Sequence, residues 1–394
     1  MLSLLLAVIY LSFISLGLPD SLLGSAWPSM YEEFSVPVSY AGVISMIISA
    51  GTIFSSLQSD FLTKKFGPGL VTAVSVAMTA SALFGFSFSD SFWMLCLWAI
   101  PYGLGAGSVD AALNTFVALH YSSRHMSWLH CMWGIGATSG PYIMSCALTG
   151  GLGWQAGYRY IGWIQLALTA LLAFSLPLWK KTGRSLSVSG QTAVDALPLS
   201  VRQVLRLPGA KAVFGCFFAY CALEQTAGLW GSSYLVLHGG MSAEEAAGFA
   251  SLFYLGITVG RAMNGFLAIR FSDDYLIRMG QGILASGIIL LLLPAGKTAA
   301  VMGLILVGLG CAPIYPSIIH STPAHFGAEK SQAVIGIQMA CAYIGNLLMP
   351  PLFGLLANHI GVFLYPFYLL ALLVLMAVLH MRLCRQIDSA EKTG

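Results

Sequence analysis

The sequence predicts an all-α membrane protein: twelve transmembrane helices in two pseudo-symmetric six-helix bundles, both termini cytoplasmic. Three observations carry this. Of 394 residues, 57% are hydrophobic and only 8% charged, against roughly 25% charged in ordinary soluble proteins. Charged clusters and turn residues cut the chain into stretches of about 20 apolar residues, the length that crosses a bilayer. The chain also repeats itself at a constant shift of 205 residues.

The composition excludes a soluble globular enzyme, a disordered protein and a secreted disulfide scaffold. Mean hydropathy is +0.81, more apolar surface than a water-soluble core can bury, so the lipid bilayer is the solvent. A net charge of +3 offers no basic patch for nucleic acid. The eight cysteines fall in or beside spans without a CxxC pair, and read as small packing residues.

The predicted spans are Leu4–Met30, Tyr40–Leu62, Gly69–Ser87, Phe92–Ala118, Ser127–Thr149, Gly157–Trp179, Ala210–Leu237, Glu245–Ile269, Tyr275–Leu293, Ala299–His320, Ser331–Asn358 and Val362–Leu383. The first is too long for a signal peptide, lacks a basic leader and carries Asp20. Most loops are short, so neighbouring helices run antiparallel. The exception is a polar stretch at 180–209, which divides a bundle at 1–179 from a bundle and short tail at 210–394. With the amino terminus inside, fifteen Lys and Arg fall on the cytoplasmic side and only Arg159 and Lys297 outside. That bias sets the orientation, and the expected location is the inner cell membrane.

The repeat holds without gaps in three separated places. Gly51, Phe61, Leu62, Lys65 and Phe66 match Gly256, Phe266, Leu267, Arg270 and Phe271. Gly103-Leu104-Gly105 matches Gly308-Leu309-Gly310, and Ala137, Gly140 and Met144 match Ala342, Gly345 and Met349. Six helices per repeat give both halves the same orientation, with a site between them near the midplane.

These features resemble the major facilitator superfamily over essentially the whole chain. The segment from Ser59-Asp60 through Lys64-Lys65-Phe66-Gly67 is similar to that superfamily's cytoplasmic loop motif, which implies gating roles for Asp60, Lys64 and Lys65. It departs from the pattern in two ways: Ser55 or Ser56 stands where Gly is expected, and three residues separate Asp60 from the basic pair. Four further motifs resemble the fucose permease-like sugar:proton symporters. They are Gly17-Leu18-Pro19-Asp20, Gly103-x-Gly-x-Gly-x-x-Asp110-x-x-x-Asn114, Leu129-His130 with Gly134-x-Gly136-x-x-x-Gly140-Pro141, and Gly260-Arg261-x-x-x-Gly265. The fucose permease itself carries Glu where this chain has Asp110, one methylene shorter.

Ionisable groups at membrane depth are costly, so each is a functional candidate. Here they are Asp20, Asp110, Glu224 and Arg261. Burial disfavours a charged carboxylate, which lets Asp20 and Asp110 load and release protons near neutral pH; the resemblance implies the same role. The competing reading makes each a polar residue bonded across helices, or, for Asp20, a hydrated group at the outer mouth. Asn114 lies one turn from Asp110 on the same face. Glu224 and Gln225 occupy the centre of the seventh span, and a one-residue slip in the repeat sets Glu224 opposite Asp20. For Arg261 two readings stand: a gate that pairs with a carboxylate across the halves, or a side chain that snorkels to the interface.

A pyranose presents apolar CH faces and a rim of hydroxyls, so aromatic faces and polar forks bind it. Candidate aromatics are Trp27, Trp133, Trp230 and Tyr315, the repeat partner of Asp110. Candidate amides are Gln338 and Asn346, and His130 shares a face with Trp133. Packing and interfacial anchoring are the alternatives for each. His120, His125 and His130 are spaced by five, as are His320 and His325. That spacing turns successive side chains by about 140°, so they converge on no metal.

The glycine-rich spans are close-packing surfaces, no nucleotide fingerprint follows a strand, and no cofactor is implied. The expected function is secondary active transport by a single chain, with proton-coupled uptake of a sugar or similar small polar solute by alternating access. The alternative is proton-coupled efflux of amphipathic or drug-like compounds, since Gly136-x-x-x-Gly140-Pro141 resembles part of the superfamily's antiporter motif without its trailing Gly pair. No converging nucleophile and base point to an enzyme.

Overall fold

The structure, a computed structural model, describes residues 2–120, 123–186, 201–293 and 296–391. Its described residues are helical almost throughout. In chain order they form α1 (Leu2–Asp20), α2 (Leu22–Glu33), α3 (Tyr40–Phe66), α4 (Pro68–Ser87), α5 (Phe92–His120), α6 (Ser123–Thr149) and α7 (Gly153–Leu186). After α8 (Val201–Val204) come α9 (Ala210–Leu237), α10 (Ala243–Leu267), α11 (Asp273–Leu292), α12 (Gly296–Cys311), α13 (Ile314–Phe326), α14 (Ala328–His359) and α15 (Tyr365–Glu391).

Eleven stretches among the described residues are long and apolar enough to cross a membrane. The fifth predicted span coincides with α6, which falls outside that set because Ser, His and Gly dilute its apolar residues. It nevertheless packs closely on α1 and α10. The outer surface is greasy: Phe174, Ile269 and Phe266 are 86%, 80% and 77% exposed. Side chains this apolar, gathered on one surface, need lipid rather than water.

Prolines and glycines shape the helices. Pro19 has no N–H to give the Ser15 carbonyl one turn earlier. In a bilayer that carbonyl must find a donor within the protein, and Gln165 supplies it: its amide donates to the Ser15 carbonyl and accepts from the Ser15 hydroxyl, both side chains buried. The first predicted span is thereby broken at Ser21 into α1 and α2. The tenth is likewise broken at 312–313 into α12 and α13, and the Tyr220 hydroxyl donates to the Cys311 carbonyl there at 3.1 Å. Ser242 and Glu245 form a reciprocal capping box at the start of α10. The sixth predicted span runs beyond Trp179, because α7 continues to Leu186; residues 187–200 of the predicted linker lie outside the described residues.

The 205-residue repeat is also a repeat of contacts. A Cβ at Gly51 would lie 3.1 Å from the Leu104 nitrogen, and one at Gly256 would lie 3.0 Å from the Leu309 nitrogen, the same pair shifted by 205. A Cβ at Gly103 would run into the Ile48 carbonyl, and one at Gly308 into the Phe253 carbonyl, again the same shift. Only glycine allows α3 to cross α5, and α10 to cross α12, this closely.

Helices α1–α7 pack mainly on one another, as do α9–α15. The two sets are joined by α2 on α9, α3 on α14 and α6 on α10. At the end away from the termini Gly24 abuts Gly228, Gly42 abuts Pro351, and Gly248 abuts Ser145. These close approaches hold the two sets against each other at that end.

Candidate functional site

The candidate site, in the crevice between the sets, begins at the break between α1 and α2, at Ser21, two residues beyond Pro19. Asp20 is the last residue of α1, solvent-accessible although it sits among α1, α5 and α6. Its carboxylate accepts from the Trp133 indole N–H at 2.8 Å, and the Tyr102 hydroxyl lies at 3.4 Å. Asp110 accepts from the Asn114 amide at 2.8 Å, one turn along α5. The Asn114 Oδ1 atom is buried without a hydrogen-bond partner among the described residues, as is Asn346 Oδ1 on α14.

The opposite wall carries Arg261 of α10. Its guanidinium lies 3.3 Å from Glu224 Oε1, with the two side chains 13% and 18% exposed. It also stands over the Trp133 ring, 5.1 Å from the centroid, a cation–π distance. Glu224 accepts a second hydrogen bond from Tyr220, one turn earlier on α9. The sequence offers Arg261 a carboxylate across the halves as one of its two readings. Its carboxylate instead comes from α9, in its own set of helices, and its reach across the crevice is to an indole. Trp133 therefore touches both sides: its N–H edge holds Asp20 and its face holds Arg261.

Aromatic faces line the rest. His130 lies edge-on to Phe13 at 5.8 Å and faces Tyr315 across the crevice at 6.3 Å. Tyr315 packs on Phe217 at 5.0 Å, and Tyr254 meets Trp133 at 6.5 Å. Gln225 is half-buried beside Glu224. The formal charges are three carboxylates against one guanidinium, and that guanidinium is already paired. The arrangement therefore carries a net negative formal charge, which by itself attracts cations more than anions.

Other candidates lie elsewhere. Trp27 and Trp230 are fully buried, with indole N–H groups on the Val38 and Pro350 carbonyls at 2.7 and 2.9 Å. They belong to the packing of the end away from the termini. Gln338 is buried and bonded to Thr322 at 3.1 Å, tying α14 to α13. Lys65 is exposed at the terminal end of α3, over the rings of Phe61 and Phe66. The side chains of Asp60 and Lys64 lie outside the described residues. Tyr102, Tyr220 and Tyr254 are absent from the sequence candidates, although Tyr220 stands one helical turn before Glu224 and Tyr102 adjoins the Gly103 motif.

Comparisons with known proteins agree with this architecture. The sequence matches the Major Facilitator Superfamily over residues 9–268 and again over 212–393. An uncharacterized MFS-type transporter of Yersinia pestis is 23% identical over 331 residues, 80% of this chain and 79% of its own length. A Thermus thermophilus protein named "Probable nitrate/nitrite antiporter NarK1" is 29% identical over 255 residues, 58% of this chain and 54% of its own. A crystal structure of a point mutant of the nucleoside transporter NupG superimposes with a TM-score of 0.75 over 96% of this chain and 98% of that one, at 14% identity, a likeness of fold. The chain belongs to the Major Facilitator Superfamily: it is a multi-pass membrane protein for secondary transport of a small molecule, not an enzyme.

Proposed function

We propose that this chain imports a sugar or similar small neutral polar solute together with protons. The observation that supports this most is the position of Trp133 between Asp20 and the Arg261–Glu224 pair. A proton arriving on Asp20 replaces a charge-assisted hydrogen bond with a weaker neutral one. Trp133 is then freed to shift under Arg261, which carries the change from one set of helices to the other. Asp110, held by Asn114, is the second proton site.

Solute binding draws on the same crevice. The unpartnered amide oxygens of Asn114 and Asn346 accept from hydroxyls, and the faces of Trp133, Tyr315 and Tyr254 cover CH surfaces. Inorganic anions such as nitrate are disfavoured, because Glu224 already neutralises Arg261. Nucleosides, named for the NupG fold neighbour, combine a sugar with an aromatic base and belong in the same test. In this reading residues 1–179 rock against 210–394 about the midplane, with both termini cytoplasmic in the inner membrane and the monomer as the working unit.

The test is uptake into proteoliposomes with an imposed pH gradient, using labelled hexoses, deoxyhexoses, disaccharides and nucleosides. Accumulation of a neutral polar solute that collapses with a protonophore supports the proposal. Folded protein that moves none of them, but extrudes cationic dyes, favours proton-coupled efflux instead.

A further inference from the structure

We propose that Asp274, His380 and Cys384 form a binding site for a divalent cation of the zinc class, at the end of the bundle that carries the termini. His380 and Cys384 are four residues apart on α15 and share one face of that helix. Asp274 comes from the first turn of α11. His380 Nε2 lies 3.0 Å from Asp274 Oδ1 and 3.7 Å from Cys384 Sγ, and the three donor atoms all lie within 4.8 Å of one another.

An imidazole nitrogen makes one hydrogen bond, as donor or as acceptor. Here a carboxylate oxygen and a thiol both converge on the same Nε2 atom, on a His that is 1% exposed. A proton on Nε2 serves the carboxylate and leaves the thiol to its other neighbours, Asp274 and Arg278. A cation at the centre serves all three. Tetrahedral zinc bonds of about 2.0–2.3 Å set ligand atoms roughly 3.3–3.7 Å apart, so the separations of His380 from Asp274 and from Cys384 already fit to within a few tenths of an ångström. Carboxylate, imidazole and thiolate are together the zinc donor set. Arg278, one turn along α11, bonds the Cys384 sulfur. It stays as an outer partner to the sulfur. The Asp274 side chain is 38% exposed, which gives the cation an entry path and leaves a side from which water could complete the tetrahedron.

The neighbouring pair shows the contrast. Asp273 meets His320 at 2.7 Å, but His320 is 83% exposed. Asp273 and His320 are not in the group of potential ligands found among the described residues. The sequence alone reads Cys384 as packing, because Asp274 is over a hundred residues away from His380 and only the fold joins them. A bound cation would staple α11 to α15.

The experiment uses the full-length chain, purified in detergent and stripped with a chelator, then titrated with Co(II) and challenged with Zn(II). One Co(II) per chain is expected, with a sulfur-to-cobalt charge-transfer band that Zn(II) displaces. Cys384→Ser should remove the band and weaken binding about tenfold or more, and His380→Gln should do likewise, with Asp273→Asn unchanged. Thermal melts show that each variant is folded. Cys384→Ser keeps the size of the side chain, so it stays informative if His380→Gln does not fold. The proposal is overturned if the wild type shows no saturable Co(II) or Zn(II) binding, or if Cys384→Ser keeps the band.

Discussion

The Trp133 indole donates to Asp20 at 2.8 Å while the Arg261 guanidinium rests 5.1 Å from the centre of the same ring. One side chain thus reads the charge on a carboxylate of the first helix and bears on an ion pair of the second set. Replacing Trp133 with Phe keeps the ring and removes the donor. A hydrogen bond to a charged group is worth about 1.5–3 kcal/mol, and that is the strength of the link being cut. Trp133→Phe should therefore lose most of its gradient-driven accumulation while keeping downhill uptake with a similar KM. Parallel measurement of accumulation and initial rates checks it.

Asp110→Asn keeps the shape of the side chain and removes its proton site. Concentrative uptake should vanish, while exchange of internal for external solute persists, because exchange needs no net proton movement. Counterflow assays in proteoliposomes distinguish these outcomes. Loss of both would make Asp110 a structural residue.

Glu224→Gln leaves Arg261 at depth without its counter-charge. Breaking a buried pair from one side costs about 3–5 kcal/mol, whereas replacing both partners with apolar residues can be neutral. The single variant should melt clearly below the wild type in detergent, and Glu224→Leu with Arg261→Met should recover part of the difference. The unpaired guanidinium should also make uptake by Glu224→Gln sensitive to nitrate, read as inhibition absent from the wild type.

Gly103→Ala and Gly308→Ala each drive a methyl into a backbone carbonyl of the crossing helix. Each should destabilise by about 1–3 kcal/mol, seen as a lower melting temperature. Gly265→Ala, where a Cβ would meet open space, should be neutral or slightly stabilising, since alanine favours helix by about 1 kcal/mol.

Gln165→Leu should rank with these. It strips the Ser15 carbonyl of the donor that Pro19 cannot supply. An unsatisfied buried group costs about 1–3 kcal/mol, and thermal melts of the variant would report it.

Much of this fold is legible in the sequence because the bilayer imposes it. Apolar runs of fixed length and a strict repeat leave little freedom, and the Gly51, Gly103, Gly256 and Gly308 pattern already marks the two crossings. The breaks at Ser21 and at 312–313 are not legible, since a proline predicts a lost hydrogen bond but not which distant side chain replaces it. The cluster of Asp20, Asp110, Trp133, Glu224 and Arg261 can be gathered from polarity at depth. Which of these touch cannot, because the pairing of Arg261 with Glu224 depends on the rotation of α10 against α9. Trp27 and Trp230 stand out in the sequence for their aromatic faces. Their burial brings their indole N–H groups onto backbone carbonyls at Val38 and Pro350, which no sequence pattern displays.

In the proposed mechanism solute and protons move together through Asp20 and Asp110. The most direct measurement is proton movement with no gradient imposed, read by a pH-sensitive dye trapped inside proteoliposomes as solute is added outside. The account predicts that solute entry acidifies the lumen of wild-type vesicles, and that Asp20→Asn and Asp110→Asn abolish the signal. Solute entry with a flat dye trace in the wild type, or an unchanged trace in both variants, would contradict it.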